Sequence, residues 1–322
     1  MLNYPLKFTP ILKDKIWGGD KLVANFNKKS KLENVGESWE ISDVEGNNST
    51  VANGALKSTS LKILLEKYKS DLIGKNNYAN FGNNFPLLIK FIDAKQDLSV
   101  QVHPDNELSK KRHNSFGKTE MWYIMQAEEN ARLILGFNET ITPEQYVSLL
   151  EEKKILSVLN DVYVKNGDAF FIETGTVHAI GSGVVLAEIQ QTSDITYRIY
   201  DFDRVDDEGN ERELHTELAV DALNFSDKID TERVYGQEVN TLNEVVECEY
   251  FTTNFISVDE NMEIDYSQID SFVIFICVEG SAEITIFNTT ETIEFGETVL
   301  IPAIAEKVII TSKKCKLLEV TV

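Results

Sequence analysis

The stretch Leu98-Ser99-Val100-Gln101-Val102-His103-Pro104 contains the pattern that decides the fold and the chemistry of this chain. Apolar and polar residues alternate along it, which is typical of a β-strand. Successive side chains of a strand point to opposite faces, so Gln101 and His103 share one face. Taken alone, this pair is also compatible with the solvent-facing side of an exposed strand.

Two later segments add further candidate ligands: Gly117-Lys118-Thr119-Glu120 and Gly175-Thr176-Val177-His178-Ala179. With Glu120 and His178, the set contains two imidazoles, one carboxylate and one amide oxygen. Such donors suit a borderline divalent metal ion and leave a coordination position open for a substrate. Each histidine by itself is more often a hydrogen-bonded structural residue, but the combination in a strand-rich chain favours metal binding.

The composition is that of a soluble globular protein, since 42% of the 322 residues are hydrophobic, 26% are charged and only 6 are proline. No stretch approaches the ~18 apolar residues of a membrane span, and the N-terminus lacks the layout of a signal peptide. Three widely spaced cysteines do not form a disulfide framework, so we expect a cytoplasmic protein. The net charge of −22 disfavours nucleic acid and anionic membranes as partners. A small anionic substrate needs only a local cluster of Lys and Arg.

Short strands dominate the predicted secondary structure. The segments Leu87–Ile92, Met121–Met125 and Ala169–Ile172 are apolar or aromatic runs bounded by turn residues. A series of such strands predicts a β-sandwich or jelly roll. Helices are fewer, and apolar spacing or capping signals place three of them: at Ser60–Ile73, after the capping box Thr142-Pro143-Glu144-Gln145, and at Glu213–Phe225.

The C-terminal part, from Phe272 onward, contains a second series of strand-like segments and no histidine. A weak internal repeat relates the two parts, because a pattern of Gly, acid, apolar strand and turn occurs in both. It covers Gly167–Gly175 before His178, and Gly296–Ile304 before Lys307. Lys307 therefore stands where the first copy has a candidate ligand, and the second copy is expected to be structural.

The expected fold is mainly β, with two jelly-roll barrels and a few helices. We expect residues 1–230 to form the metal-binding catalytic unit with its helical segments. Residues 231–322 are expected to form a second barrel without metal ligands, and pairing of the N-terminal strands with this barrel is left open.

A second chemical cluster lies in the segment Gln190–Arg204, where Arg198 and Arg204 stand among aromatic and acidic residues. The planar fork of Arg matches phosphate or carboxylate oxygens, which favours anion recognition. The alternative is a twisted strand with solvated salt bridges that contribute little. Spacing alone does not decide between the two. We assign no function to His113 or His215.

These segments resemble a known family. The stretches Leu98–Pro104, Gly117–Glu120, Gly175–Ala179 and Thr196–Arg204 are similar to class I phosphomannose isomerases, the cupin-type mannose 6-phosphate isomerases. Ile16–Gly19 and Gly36–Ser42 resemble the short bacterial form of that family. The resemblance implies cupin barrels and the interconversion of mannose 6-phosphate and fructose 6-phosphate, a reaction that proceeds through an enediol.

The resemblance also assigns roles to individual residues. It implies one zinc ion per chain, bound by Gln101, His103, Glu120 and His178. The active-site arginine of the family falls on Arg198, and the lysine that precedes the glutamate ligand by two residues falls on Lys118. We expect these two residues to be catalytic, with Lys118 as the candidate proton carrier. The expected substrate contacts are Lys90, Arg204, Trp17, Glu37 and Asp194.

Two positions depart from the family pattern. Arg204 stands where longer members have a lysine, which keeps the charge and changes the geometry. Ile180 stands where they have a tyrosine, which removes one possible substrate contact.

Two other function classes share the proposed ligand set or fold. Two histidines and one carboxylate also describe the iron(II) site of a cupin oxygenase, and a non-catalytic sugar-binding cupin has the same barrel. The amide of Gln101 and the cluster of Lys and Arg favour the isomerase, because an oxygenase has no evident need for a phosphate-binding site. The expected partner is a phosphorylated hexose, and the sequence does not indicate the oligomeric state.

Overall fold

The computed structural model describes residues 2–205, 208–227 and 229–322, and β-strands form most of its regular structure. The predicted mainly-β architecture is therefore confirmed. Sixteen strands occupy the part up to residue 233 of this description: β1 (Phe8–Thr9), β2 (Ile11–Gly19), β3 (Val35–Ile41), β4 (Asp43–Val44), β5 (Asn47–Asn48), β6 (Thr50–Val51), β7 (Leu87–Ala94), β8 (Val100–Val102), β9 (Glu120–Ala127), β10 (Arg132–Phe137), β11 (Leu159–Tyr163), β12 (Ala169–Ile172), β13 (His178–Ile180), β14 (Val184–Gln191), β15 (Tyr197–Tyr200) and β16 (Glu232–Arg233).

Two antiparallel sheets make up what we call the first barrel. One has five strands in the order β11-β10-β13-β8-β15, and the other has seven in the order β16-β12-β9-β14-β7-β2-β3. Buried side chains from both sheets, including Trp122, Leu135, Phe170 and Leu186, form one cluster between them. Alternation along the strands explains this core, because every second side chain of a strand faces the same side.

The second barrel is an eight-stranded sheet with the central order β17-β18-β24-β20-β23-β19, to which β21 and β22 add by pairing with β20. Its own core is aliphatic, with Ile284, Val299, Val308 and Leu317 fully buried. Its strands are β17 (Asn243–Glu247), β18 (Thr252–Val258), β19 (Asn261–Asp265), β20 (Val273–Ile286), β21 (Thr289–Glu294), β22 (Thr298–Ile301), β23 (Lys307–Thr311) and β24 (Cys315–Thr321).

A shared core and a few polar contacts join the barrels. One apolar cluster contains residues of both, among them Phe91 of β7 and Phe272 beside β20. Leu6 exchanges both backbone hydrogen bonds with Leu300, although β2 and β3 of the N-terminal region pair with β7 of the first barrel. The division into units 1–230 and 231–322 is our proposal, although β16, just after that boundary, still pairs with β12 in the first barrel.

The helices lie mostly in the connections: α1 (Lys21–Asn25), α2 (Leu61–Tyr68), α3 (Ser70–Ile73), α4 (Lys75–Phe81), α5 (Asn106–His113), α6 (Pro143–Glu151) and α7 (Thr216–Ala222). The predicted capping box is present, since Thr142 Oγ1 accepts from the Gln145 amide and the Gln145 side chain accepts from the Thr142 amide. The single helix predicted at 60–73 is instead α2 and α3, because Lys69 between them has a φ of 51°. None of the described helices is long and apolar enough to cross a membrane.

Lys307, which the repeat aligns with His178, is half exposed and forms an ion pair with Glu263 at 2.6 Å. We therefore expect Lys307→Ala to leave kcat within about twofold of the parent, the usual range for a surface substitution. Steady-state kinetics on the two proteins, with circular dichroism as the control for folding, checks this. A hundredfold loss of turnover in a folded variant would contradict a purely structural second barrel.

Candidate active site and metal centre

Four candidate ligands meet where three strands of the first barrel begin or end. β8 carries Gln101 and ends one residue before His103, β9 begins at Glu120, and β13 begins at His178. Gln101 and His178 are register partners on β8 and β13. Because β9 belongs to the seven-stranded sheet, the ligand set bridges both sheets of the first barrel.

The donor atoms of this set point at one another. His103 Nε2 lies 3.2 Å from His178 Nε2 and 3.7 Å from Glu120 Oε2, and His178 Nε2 lies 3.5 Å from Glu120 Oε1. Gln101 Nε2 lies 3.2 Å from His178 Nε2, and a 180° rotation of the amide would place its oxygen there instead. In the described part of the chain, His103, Glu120 and His178 form a group whose donor atoms all lie within 4.8 Å.

Backbone carbonyls fix the orientation of both imidazoles. His103 Nδ1 lies 2.8 Å from the Ile195 carbonyl oxygen, and His178 Nδ1 lies 2.8 Å from that of Thr176. A carbonyl can only accept, so Nδ1 carries the proton in each ring and the Nε2 lone pairs face the cluster. Burial lowers the pKa of His178 to about 4 and holds that of His103 well below its usual range, with Lys118 adding to both effects. Neutral imidazole is the form that binds metal.

Glu120 is fully buried, and its Oε1 has no hydrogen-bond donor among the described residues. Its Oε2 contacts Lys118 Nζ, which also lies 3.1 Å from His103 Nε2. Burial raises the pKa of Glu120 to about 7, more than the charge of Lys118 lowers it. A bound cation would favour the ionised carboxylate, and His103, Glu120 and His178 would hold it. The residues present fit a bound metal ion.

A cavity of about 330 Å³ borders this cluster at Gln101 and Lys118. Seven of the residues that the sequence assigns to the site line it: Trp17, Glu37, Lys90, Gln101, Lys118, Asp194 and Arg198. Arg204 is not among the lining residues. Six polar or aromatic residues that the sequence analysis did not assign also line it: Lys15, Trp39, Ser99, Glu188, Thr196 and Arg212.

Comparison with known proteins identifies the family of this site. Models of the type I phosphomannose isomerase catalytic domain and of the mannose-6-phosphate isomerase cupin domain match residues 6–133 and 241–322. The mannose-6-phosphate isomerase ManA of Bacillus subtilis is 35% identical over 305 residues, which cover 94% of each chain. The chain belongs to the type I phosphomannose isomerase family. The mannose-6-phosphate isomerase of Streptococcus mutans is 33% identical over 92% of each chain.

Solved structures agree with this membership. The crystal structure of the mannose 6-phosphate isomerase from Bacillus subtilis matches with a TM-score of 0.88 at 33% identity, over 99% of this chain and 100% of that chain. A mutant of the phosphomannose isomerase from Salmonella typhimurium matches with a TM-score of 0.82 at 17% identity, which supports the fold alone. The predicted family, the cupin fold and the class of enzyme are confirmed.

The sequence analysis missed Glu188, a buried carboxylate that lines the cavity. It accepts hydrogen bonds from Lys90 Nζ at 2.9 Å and Trp122 Nε1 at 3.0 Å, and it lies 3.7 Å from Lys118 Nζ. Burial alone would raise its pKa, but Lys118 and Lys90 hold the pKa at about 2. A single acid within the apolar strand Val184–Gln191 was the available signal, since acids are rarely fully buried without a partner.

Lys90 remains charged in this environment. Burial would lower its pKa, but Glu188, Glu37 and Glu120 together raise it above the usual value. Glu37 also accepts from Trp39 Nε1 at 2.7 Å and pairs with Lys15 at 3.1 Å. The cavity wall therefore carries both cations and carboxylates, and Glu37 and Glu188 are each held by named donors.

Arg198 lies beside the metal ligands, because it is the register partner of Gln101 on the neighbouring strand β15. Its backbone amide donates to His215 Nδ1 at 2.9 Å, and its Nη1 donates to the Glu213 carbonyl at 2.7 Å. His215 thus holds the backbone of Arg198, which gives that histidine a structural role the sequence did not show. His113, by contrast, is an exposed residue at the end of α5.

Proposed function

We propose that this chain interconverts mannose 6-phosphate and fructose 6-phosphate through an enediol, with one zinc ion bound in the first barrel. The observation that supports it is the juxtaposition of two kinds of group. A neutral bis-imidazole and carboxylate cluster lies below a cavity whose walls carry the side chains of Lys90, Lys118 and Arg198. Metal donors beside several cations suit a sugar phosphate, which has hydroxyl oxygens at one end and a dianion at the other.

Gln101, His103, Glu120 and His178 are the residues that would hold the zinc ion, since two neutral imidazoles with oxygen donors are a common zinc set. When bound, zinc supplies a Lewis acid that stabilises negative charge developing on adjacent oxygens of the sugar. The hydrogen bonds from the two Nδ1 atoms to the carbonyls of Ile195 and Thr176 keep the donors in place.

The proton that moves between C1 and C2 requires a group within hydrogen-bond reach of both carbons. We assign this role to Lys118, which would take the proton from one carbon as a neutral amine and return it to the other; its Nζ is buried among His103, Glu120 and Glu188. The neighbouring charged Lys90 donates to an oxygen of the substrate. Arg198 carries a permanent positive charge next to Gln101, where it stabilises the charge of the enediol-like transition state.

A coupled assay on mannose 6-phosphate, with and without a chelator, tests this proposal. We expect turnover that the chelator abolishes and zinc restores, with about one metal ion per chain by mass spectrometry. Stoichiometric iron together with oxygen consumption would instead support the cupin oxygenase. Binding of sugar without any turnover would support a non-catalytic cupin. We also propose a cytoplasmic location, which the three free cysteines support.

Two substitutions at the oxygen ligands should have unequal effects. Glu120→Gln replaces an anionic donor with a neutral one, so we expect weaker zinc binding and a large loss of activity. Gln101→Ala should be milder, because water can replace a neutral amide oxygen in the coordination shell. Zinc affinity from competition with a chromogenic chelator checks the order. A stronger effect at Gln101 than at Glu120 would contradict the assignment of Glu120 as a ligand.

A further inference from the structure

We propose that Arg212, and not Arg204, binds the phosphate group of the substrate in this chain. The inference rests on the proposed function, because it assigns the phosphate end of the same cavity. It starts from a difference between sequence and structure. The family pattern indicates Arg204 as the second cation, whereas Arg212 is the one that lines the cavity together with Arg198 and Lys15.

Both arginines bind the same carboxylate from different positions. Arg212 forms a two-point ion pair with Asp201, with Nε to Oδ2 at 2.6 Å and Nη2 to Oδ1 at 2.5 Å. Arg204 Nη2 reaches Oδ1 at 2.6 Å and its Nε bonds the Asp201 backbone carbonyl. Asp201 is buried, so it fixes both guanidinium groups. A fixed guanidinium loses less entropy when it binds an anion.

Exposure separates the two arginines. The side chain of Arg204 is 15% exposed, and its guanidinium lies over the ring of Phe202 at 5.7 Å. The side chain of Arg212 is 29% exposed and borders the cavity. Arg212 binds Asp201 through Nε and Nη2, which leaves Nη1 as a further donor. Arg204 uses the same two nitrogens on Asp201, so the difference between the two is position: Arg212 borders the cavity and Arg204 does not.

Arg198 and Arg212 form a pair of like charges in the cavity wall. Arg198 Nη1 bonds the carbonyl of Glu213, the residue that follows Arg212, and so ties the two segments together. Burial lowers the pKa of Arg198 and the charge of Arg212 lowers it further. Arg198 Nε is buried and has no partner in the described part of the chain. A dianionic phosphate bound to Arg212 would relieve this repulsion, because it neutralises the charge of Arg212.

The positions also fit the dimensions of the substrate. Arg198 is one strand away from Gln101, a spacing of about 5 Å between partner residues, so it lies next to the reacting carbons. Arg212 lies outside the strands that carry the ligands, on the segment that follows the bridge between Val205 and Glu211. In a hexose 6-phosphate the reacting carbons C1 and C2 and the phosphate lie at opposite ends. Arg198 therefore faces the chemistry, and Arg212 faces the phosphate.

The experiment compares four variants, Arg212→Ala, Arg212→Lys, Arg204→Ala and Arg233→Ala, in steady-state kinetics on mannose 6-phosphate. For Arg212→Ala we expect KM to rise about 10- to 100-fold with kcat little changed, the range expected for one lost charge-assisted hydrogen bond. Inhibition by inorganic phosphate should weaken by a similar factor. The KM of Arg212→Lys should lie between those of the parent and Arg212→Ala. Arg204→Ala should raise KM less than Arg212→Ala does. Arg233 is not among the cavity-lining residues, so Arg233→Ala should have the KM of the parent.

The outcomes separate this inference from the proposed function. A larger KM effect at Arg204 than at Arg212, or unchanged phosphate inhibition in Arg212→Ala, would overturn the inference. A fall in kcat at constant KM would also do so, since it would place Arg212 at the reacting carbons. If the parent does not isomerise mannose 6-phosphate, the proposed function fails instead. Calorimetric binding of inorganic phosphate to parent and Arg212→Lys would then still decide whether Arg212 binds the anion.

Discussion

His178→Ala is expected to remove both the bound metal and all measurable isomerase activity. The imidazole is fully buried, and its Nε2 contacts Gln101, His103 and Glu120, so it lies at the centre of the donor set. Without it, one neutral imidazole and one carboxylate remain as strong donors. The amide of Gln101 is a weaker donor than an imidazole, so we expect the remaining set to bind zinc too weakly to retain it.

The measurement is metal content by mass spectrometry, together with the coupled assay, on protein purified in parallel with the parent. His103→Ala should also lose both metal and activity, because Nε2 of His103 belongs to the same cluster of donor atoms. His113→Ala is the matched control, since it removes an exposed imidazole outside the cluster and should keep its metal. Circular dichroism separates loss of the ion from loss of the fold, which matters because His178 also packs edge-on against Trp122 at 5.4 Å.

Stoichiometric metal in folded His178→Ala would show that His178 is not a ligand. Loss of metal in His113→Ala as well would point to general destabilisation and not to coordination. Retained activity in metal-free protein would remove zinc from the mechanism altogether.

The metal cluster was predictable from sequence because its Gln101–His103 pair follows a local rule and its other ligands lie in segments that resemble the family. The period of a strand places Gln101 and His103 on one face, and β8 pairs with β13 so that Gln101 meets His178. The capping box at Thr142 was likewise a local signal, and it forms as predicted. Patterns that depend on a few neighbouring residues survive folding unchanged.

Features that depend on backbone conformation or on distant segments were not predictable. The helix predicted across 60–73 breaks at Lys69, where a positive φ in a non-glycine residue leaves no sequence signal. The strand β20 likewise continues through Glu279-Gly280, with an irregularity in its pairing with β24 between Cys277 and Glu279.

The polar wall of the cavity was only partly predictable for the same reason. Glu188 could have been found as the lone acid of an apolar strand. Arg212 stands between two glutamates outside any strand or helix, so nothing in its neighbours marks it. It reaches the site only because the chain returns through the bridge between Val205 and Glu211.

Arg198→Ala is expected to lower kcat and kcat/KM together by about 10²–10³, the usual effect of removing one electrostatic stabiliser of a transition state. Arginine keeps its charge at all relevant pH values, and this one lies beside Gln101 in the cavity. Its charge interacts more strongly with a developing enediolate than with the neutral hydroxyl and carbonyl oxygens of the substrate. Removing the guanidinium therefore destabilises the transition state more than the ground state.

Steady-state kinetics on Arg198→Ala and Arg198→Lys, with metal content and circular dichroism compared with the parent, tests this. The strand should persist in both variants, since the bond from residue 198 to His215 Nδ1 comes from the backbone. A small rise in KM is also expected, because the Nη1 bond to the Glu213 carbonyl, which holds the segment of Arg212, is lost. The lysine variant keeps the charge without the fork and should recover part of kcat.

Near-parental kcat/KM in Arg198→Ala would remove this residue from the active site. A large rise in KM with kcat unchanged would mean that Arg198 binds the phosphate, and the charge on the enediolate would then be stabilised by Lys90 or Lys118. The second result would also reverse the order of the two arginines along the substrate. Since Arg198 is the register partner of Gln101 and Arg212 lies outside the strands that carry the ligands, that reversal would require the sugar to bind with its phosphate next to the metal ligands.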